Sequence, residues 1–184
     1  MTVQDAQSKA LQRIRADVRA MQAYHVQPAQ GLLKMDTMEN PYRLPAELQQ
    51  KLGAHLGALE INRYPGERQE VLKKMLADYA GAPAGSAVLL GNGSDEIITL
   101  LALATAQPCN NARAKMLAPM PGFVMYPLSA KLQGLDFVGV NLTSDFDLDV
   151  PAMLAAIAEH QPAITYIAYP NNPTATLWAE DKVQ

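Results

Sequence analysis

The chain has 184 residues, 49% of them hydrophobic, and its 15 basic and 18 acidic side chains give a net charge of −3 without a long run of either sign. Such a chain can bury a core, so disorder is not the default reading, and no run of charge advertises a polyanion partner such as nucleic acid. No stretch is apolar for long enough to span a bilayer, Asp5 and Asp17 do not suit a secretory signal or transit peptide, and the single cysteine, Cys109, fits a reducing compartment, the cytoplasm, as a small core residue.

Leu11, Ile14, Val18 and Met21 recur at helical spacing between Arg13, Arg15, Asp17 and Arg19. This predicts a one-sided helix over 10–21 that seeks a surface, such as another subunit. Pro28, Gly31, Pro41 and Pro45 then make 24–45 an extended arm of the kind that lines a site. Leu48, Leu52, Leu56 and Leu59 predict a second helix, which the run from Asn62 to Gly66 ends, because Tyr64 precedes a proline and is pushed out of helical geometry. Val71, Leu72, Met75, Leu76 and Tyr79 predict a third, closed by Gly81 and Pro83.

Thereafter four short apolar runs, 87–90, 115–118, 136–140 and 163–169, alternate with helical stretches at 94–106, 122–133 and 150–159. Asp149 followed by Pro151 marks the start of the last helix, since aspartate caps free amides and proline suits a first turn. Strands apolar on both faces that alternate with helices predict an α/β domain, a mainly parallel sheet flanked by helices. The chain thus divides into an amino-terminal helix and arm, 1–45, and the sheet-bearing part, 46–184.

Ligands of open parallel sheets collect at the carboxyl ends of the strands. After the first predicted strand comes Gly91-Asn92-Gly93-Ser94-Asp95-Glu96, where two glycines and the free amides of a helix start suit a phosphate. Alternatively, Ser94 and Asp95 simply cap the helix. After the second strand, Phe123 in Pro121-Gly122-Phe123-Val124-Met125-Tyr126 either fills the core or stacks on a flat heterocycle. After the fourth, Tyr169-Pro170-Asn171-Asn172-Pro173-Thr174 is a turn that also holds side-chain amides at the rim, able to donate to a phenolate-type oxygen. His25, His55 and His160 lie apart, without cysteines or carboxylates at metal spacing, so no metal site is expected. Neither a nucleophile elbow nor a P-loop occurs.

Taken in order, MENPY from Met38, NRYPG from Asn62, GNGSDEII from Gly91, PGFVMY from Pro121 and YPNNPT from Tyr169 resemble the successive motifs of histidinol-phosphate aminotransferases, a group of fold-type I pyridoxal-phosphate enzymes. The resemblance runs from about residue 10 to the end and covers roughly half of a typical member. It implies the large domain of that fold, incomplete, with pyridoxal 5'-phosphate as cofactor. Gly93, Ser94 and Asp95 would hold the cofactor phosphate, Phe123 would stack on the pyridine ring, and Asn172 would bond the phenolic oxygen, with a cis bond to Pro173. Tyr64 would reach the phosphate in the neighbouring subunit, making a homodimer with shared sites. Tyr24 and Asn40 on the arm would contact the small-molecule substrate.

Two departures stand out. The family's glycine after Asn-Pro-Thr is Ala175, at a cost of roughly 1 kcal/mol if the position is left-handed. The chain also ends at Gln184, before the motif that carries the family's Schiff-base lysine, so no catalytic residue is expected within it and transamination by these residues alone should fail. None of Lys34, Lys51, Lys73, Lys74, Lys115, Lys131 or Lys182 lies in a motif that would replace it. The resemblance therefore implies, for the intact protein, transamination of histidinol phosphate with 2-oxoglutarate in histidine biosynthesis. The alternatives are a related decarboxylase of phospho-amino acids and, for the chain as it stands, a noncatalytic fragment that dimerises or binds the cofactor weakly.

Overall fold

In the computed structural model, which describes residues 5, 9–22, 28, 30–34, 39–64, 68–109 and 111–184, the chain divides into two units, Met1–Thr37 and Met38–Gln184. The first holds a helical turn at 9–11 and a short helix, α1 (Ala16–Arg19). The single helix predicted over 10–21 is therefore broken. The break falls at Arg15, whose backbone is extended (φ −51°, ψ 135°) and whose guanidinium pairs with Asp17 at 2.6 Å. Leu11 and Ile14 are 44% and 46% exposed, so little burial offsets the cost of nucleation, and a helix this short is marginal in water.

In the second unit the leucine spacing gives α2 (Ala46–Gly57), braced by a Lys51–Glu47 pair at 2.7 Å, and then α3 (Arg68–Ala80). α3 ends in a Schellman turn at Gly81 (φ +62°), where the Ala82 N–H donates to the Ala77 carbonyl at 3.0 Å. The remaining elements are α4 (Gly93–Ala104), β1 (Lys115–Met120), α5 (Met125–Gln133), β2 (Asp136–Asn141), α6 (Val150–His160), β3 (Ile164–Thr165) and α7 (Glu180–Val183).

The strands run in the order β2-β1-β3, with both pairings parallel: Lys115 lies opposite Asp136, and Met116 opposite Ile164. Side chains of the central strand alternate between two cores. Met116 and Ala118 pack with Ile98 and Ala102 of α4 and Tyr126 and Ala130 of α5, whereas Leu117 packs with Val140, Leu148, Met153 of α6 and Trp178. Covering both faces is what makes β1 apolar from Met116 to Met120, and full burial of Met116 or Leu117 is worth about 1.5–3 kcal/mol. α6 begins as the sequence predicts, with the Asp149 carboxylate accepting from the Ala152 N–H at 3.0 Å and proline in the first turn.

Three expectations need correction. Among the described residues, 87–90, predicted as the first strand, join no sheet, and Leu89 is 56% exposed. An apolar run becomes a strand only where a neighbour satisfies its backbone groups, and none lies alongside. The strand predicted over 163–169 is shortened to Ile164–Thr165, followed by one more bond from the Tyr166 N–H to the Leu117 carbonyl at 2.9 Å. The chain then turns at Pro170, which has no N–H to give a ladder. Cys109 is exposed rather than in the core, because its backbone closes a small turn with Ala112. No helix among the described residues is long and apolar enough to cross a membrane.

Candidate functional site

The chain leaves β1 through α5 to β2 on one side, then returns through α6 to β3 on the other side of β1. The strand order thus reverses between β1 and β3, and a crevice opens outside the carboxyl ends of strands at such a reversal. Two loops form its rim, residues 121–123 after β1 and 169–176 after β3.

The first loop turns so tightly that a Cβ on Gly122 would lie 2.4 Å from the Pro119 carbonyl oxygen, so only glycine fits. It delivers Phe123, half-buried, at the entry to α5. The Phe123 ring meets Tyr126 edge-on (centroids 5.6 Å, 87°), and Tyr126 stacks flat on Tyr166 (4.6 Å, 9°). This packing constrains the plane of Phe123. Burial raises the pKa of both tyrosine hydroxyls, which keeps them neutral, and the buried Tyr166 hydroxyl has no partner among the described residues.

The second loop is organised by Asn171. Its N–H donates to the Thr176 carbonyl at 2.9 Å, and its own carbonyl accepts from the Ala175 N–H at 2.8 Å. Its side chain, 1% exposed, donates from Nδ2 to the Thr174 hydroxyl at 2.8 Å and to the Pro121 carbonyl of the other loop at 3.1 Å. The Asn172–Pro173 bond is cis, as are Met120–Pro121 and Tyr169–Pro170. Ala175 has φ +58°, so this alanine does occupy the left-handed region. Asn172 is half-buried, and no described hydrogen bond uses its side-chain amide.

The start of α4 supplies a different element. Asn92 (φ −77°, ψ 72°) centres an inverse γ-turn closed by the Gly93 N–H on the Gly91 carbonyl at 2.9 Å, and Gly93 has φ +77° with open space where a Cβ would be. The Glu96 carboxylate turns back to accept from the Asn92 N–H, close over Gly91. The side chains of Asn92, Ser94 and Asp95 do not cap α4 and Glu96 takes the Asn92 amide, so the Ser94 and Asp95 N–H groups of the first turn have no partner among the described residues. α4 packs on α5, where the Thr99 and Ser129 hydroxyls stand 3.4 Å apart.

Of the predicted residues, Phe123 and Asn172 therefore sit on loops joined by one hydrogen bond, and Gly93, Ser94 and Asp95 sit on a helix packed against α5. Tyr64, 96% exposed, and Asn40, whose carboxamide accepts the Tyr42 N–H at 3.0 Å, stand in solvent. Tyr24 lies outside the described residues. Asn171 is the residue that sequence reasoning passed over. Its signal was the doubled asparagine, which does not reveal which of the two turns inward. An open pocket of about 270 Å³ near Arg113, Lys115 and His160 lies at the opposite, amino end of β1, away from these loops.

A family model described as aminotransferase class I and II matches residues 31–184. The chain is similar to the histidinol-phosphate aminotransferase of Paracidovorax citrulli (strain AAC00-1), 69% identical over 180 residues, 98% of this chain and 49% of the relative. It is also similar to that of Acidovorax sp. (strain JS42), 67% identical over 184 residues, all of this chain and 49% of the relative. The chain spans about half the length of the curated relatives it matches. Among solved structures, the histidinol-phosphate aminotransferase from Sinorhizobium meliloti in complex with pyridoxal-5'-phosphate shares the fold, with TM-score 0.70, 18% identity, and coverage of 93% of this chain and 46% of that one. The enzyme of that name from Clostridium acetobutylicum does so at TM-score 0.66 and 24% identity, over 82% of this chain and 41% of that one.

Proposed function

We propose, from the premise that the chain belongs to the class I and II aminotransferase family, that the intact protein transfers an amino group between histidinol phosphate and 2-oxoglutarate with pyridoxal 5'-phosphate as its cofactor. The observation that carries this reading is the pair of loops at the β1/β3 reversal, one presenting a braced aromatic ring and the other an unengaged carboxamide. The choice of substrate rests on the relatives at 69% and 67% identity, which bear the name of that activity.

The residues present fit the cofactor. At the start of α4, with Gly93 at φ +77°, the Ser94 and Asp95 amides are able to hold a phosphate without any cationic side chain. Glu96 is drawn back to the Asn92 N–H at the same helix start, so a phosphate held there requires its carboxylate to swing away. Phe123 offers an aromatic ring set at 87° to that of Tyr126. The Asn172 side-chain N–H would donate to the phenolic oxygen and so favour its anion. When bound, the cofactor supplies an electron sink for the charge left on the substrate carbon when its proton departs. The chain's own part is to bind the phosphate, fix the ring plane and set the charge on the phenolic oxygen. In the same reading the protein is a homodimer in which Tyr64 crosses to the neighbouring subunit's phosphate, while Tyr24 and Asn40 meet the substrate.

Titration of the intact protein with pyridoxal phosphate, followed in the visible spectrum before and after borohydride reduction, tests this. The reading expects a pH-dependent band that reduction fixes to the protein mass. Phe123→Ala should weaken binding by about fivefold to tenfold, the equivalent of about 1 kcal/mol. A spectrum equal to that of the free cofactor would refute the reading.

A further inference from the structure

We propose that Asn171 is a positioning residue that locks the two cofactor-contacting loops together and thereby aims the Asn172 carboxamide at the phenolic oxygen. The inference rests on the cofactor reading above and adds to it a residue that contacts no ligand. Three observations carry it.

First, Asn171 is tied at every level of its loop. Its backbone N–H and C=O close the turn on Thr176 and Ala175 at 2.9 and 2.8 Å, and its Nδ2 reaches the Thr174 hydroxyl at 2.8 Å. Asn172 and Pro173 lie inside the ring these bonds close, so their direction follows from it. Second, the same Nδ2 donates to the Pro121 carbonyl at 3.1 Å, two residues before Phe123. That oxygen can only accept, so the nitrogen of the carboxamide must face it, which fixes the side chain's orientation. One amide thus couples the ring-stacking loop to the loop that bonds the phenolic oxygen. Third, Asn171 is 1% exposed and its Oδ1 has no partner among the described residues. Burying an unpartnered acceptor is unfavourable, and an apolar side chain of similar size would avoid it. What the carboxamide provides in exchange is one directed bond within its turn, to Thr174, and one across to the other loop, at Pro121.

The test uses the full-length protein loaded with pyridoxal phosphate. The spectral pKa of the bound cofactor reports the hydrogen bond to the phenolic oxygen, because loss of that donor makes the oxygen more basic and holds the shared proton to higher pH. Asn172→Ala calibrates the direct effect. Asn171→Ala should move the spectral pKa upward by part of that shift and lower kcat/KM by roughly tenfold to a hundredfold. Thr174→Val, which leaves the Pro121 bond in place but removes the hydroxyl that Asn171 and Thr176 share within the turn, should shift it the same way by less, and Thr174→Ser should restore it. If Asn171→Ala does not fold, the Thr174 pair carries the test.

Variants that lower the urea midpoint of the cofactor-free protein while the spectral pKa stays in place would overturn the inference and leave Asn171 a purely structural residue. An unmoved pKa in Asn172→Ala would overturn the cofactor reading itself, and is distinguishable because it involves Asn172 alone.

Discussion

Replacing Ala175 by glycine should stabilise the protein. Ala175 has φ +58°, and an L-residue in the left-handed region costs about 1–2 kcal/mol that glycine does not incur. Glycine also frees the unfolded chain, which takes back about 0.4–1 kcal/mol. The Ala175 methyl is exposed, so deleting it forfeits little burial, and the bond from its N–H to the Asn171 carbonyl at 2.8 Å is made by the backbone and survives. The net expectation is a gain of about 0.5–1 kcal/mol. With an m-value of about 2 kcal/mol/M, the urea midpoint of the intact protein should rise by roughly 0.3 M with unchanged slope. Ala175→Val places a β-branched side chain at the same dihedral and should lower the midpoint. A glycine variant less stable than the parent, or a valine variant equal to it, would refute the left-handed assignment and the turn geometry built on it.

Gly122→Ala should destabilise by about 1–3 kcal/mol, because its Cβ would meet the Pro119 oxygen at 2.4 Å and that carbonyl belongs to the buried end of β1. Urea unfolding and cofactor titration should both register the change, and a variant that binds and unfolds like the parent would contradict it. Trp178, 2% exposed, donates from its indole N–H to the Phe146 carbonyl at 2.9 Å. Trp178→Phe should cost about 1–2 kcal/mol and Trp178→Ala about 3–5 kcal/mol, and equal losses would show that the hydrogen bond contributes nothing. The Lys182 ammonium, together with the Leu148 amide, holds the Asp147 carboxyl below its ordinary value of 3.8. A depressed carboxyl contributes stability that is present above its ordinary pKa and lost as pH falls through the lowered folded value. Asp147→Asn should remove that part of the acid dependence, and an acid limb identical in both proteins would show the pair to be inert.

What the sequence reveals and what it hides divide along physical lines. Helix α6 was legible because its cap is local: Asp149 and Pro151 specify the start whatever surrounds them. β1 was legible because a strand covered on both faces must be apolar throughout. Residues 87–90 carry the same kind of apolar run without becoming a strand, since membership of a sheet depends on a neighbour that local sequence does not contain. Likewise Leu11, Ile14, Val18 and Met21 have helical spacing, but spacing does not supply the partner that would hold a helix together through Arg15.

The site divides in the same way. The places of Phe123, Asn172 and Gly93 after strands or at a helix start were readable, whereas the motif only raised the left-handed conformation of Ala175 as a condition, which its φ of +58° meets. The role of Asn171 was not readable, because it depends on a carbonyl 50 residues earlier in the chain being within 3.1 Å. Tyr64 and Asn40 stand in solvent, and the roles expected of them concern a partner chain and a substrate.

The central claim is tested most directly by incubating the intact protein, loaded with pyridoxal phosphate, with histidinol phosphate and 2-oxoglutarate and measuring glutamate. The account predicts glutamate in stoichiometric amount with the consumed phosphorylated amine, and its loss when either substrate or the cofactor is omitted. Release of carbon dioxide from a phospho-amino acid without glutamate, or no turnover by a protein that carries the cofactor, would contradict it.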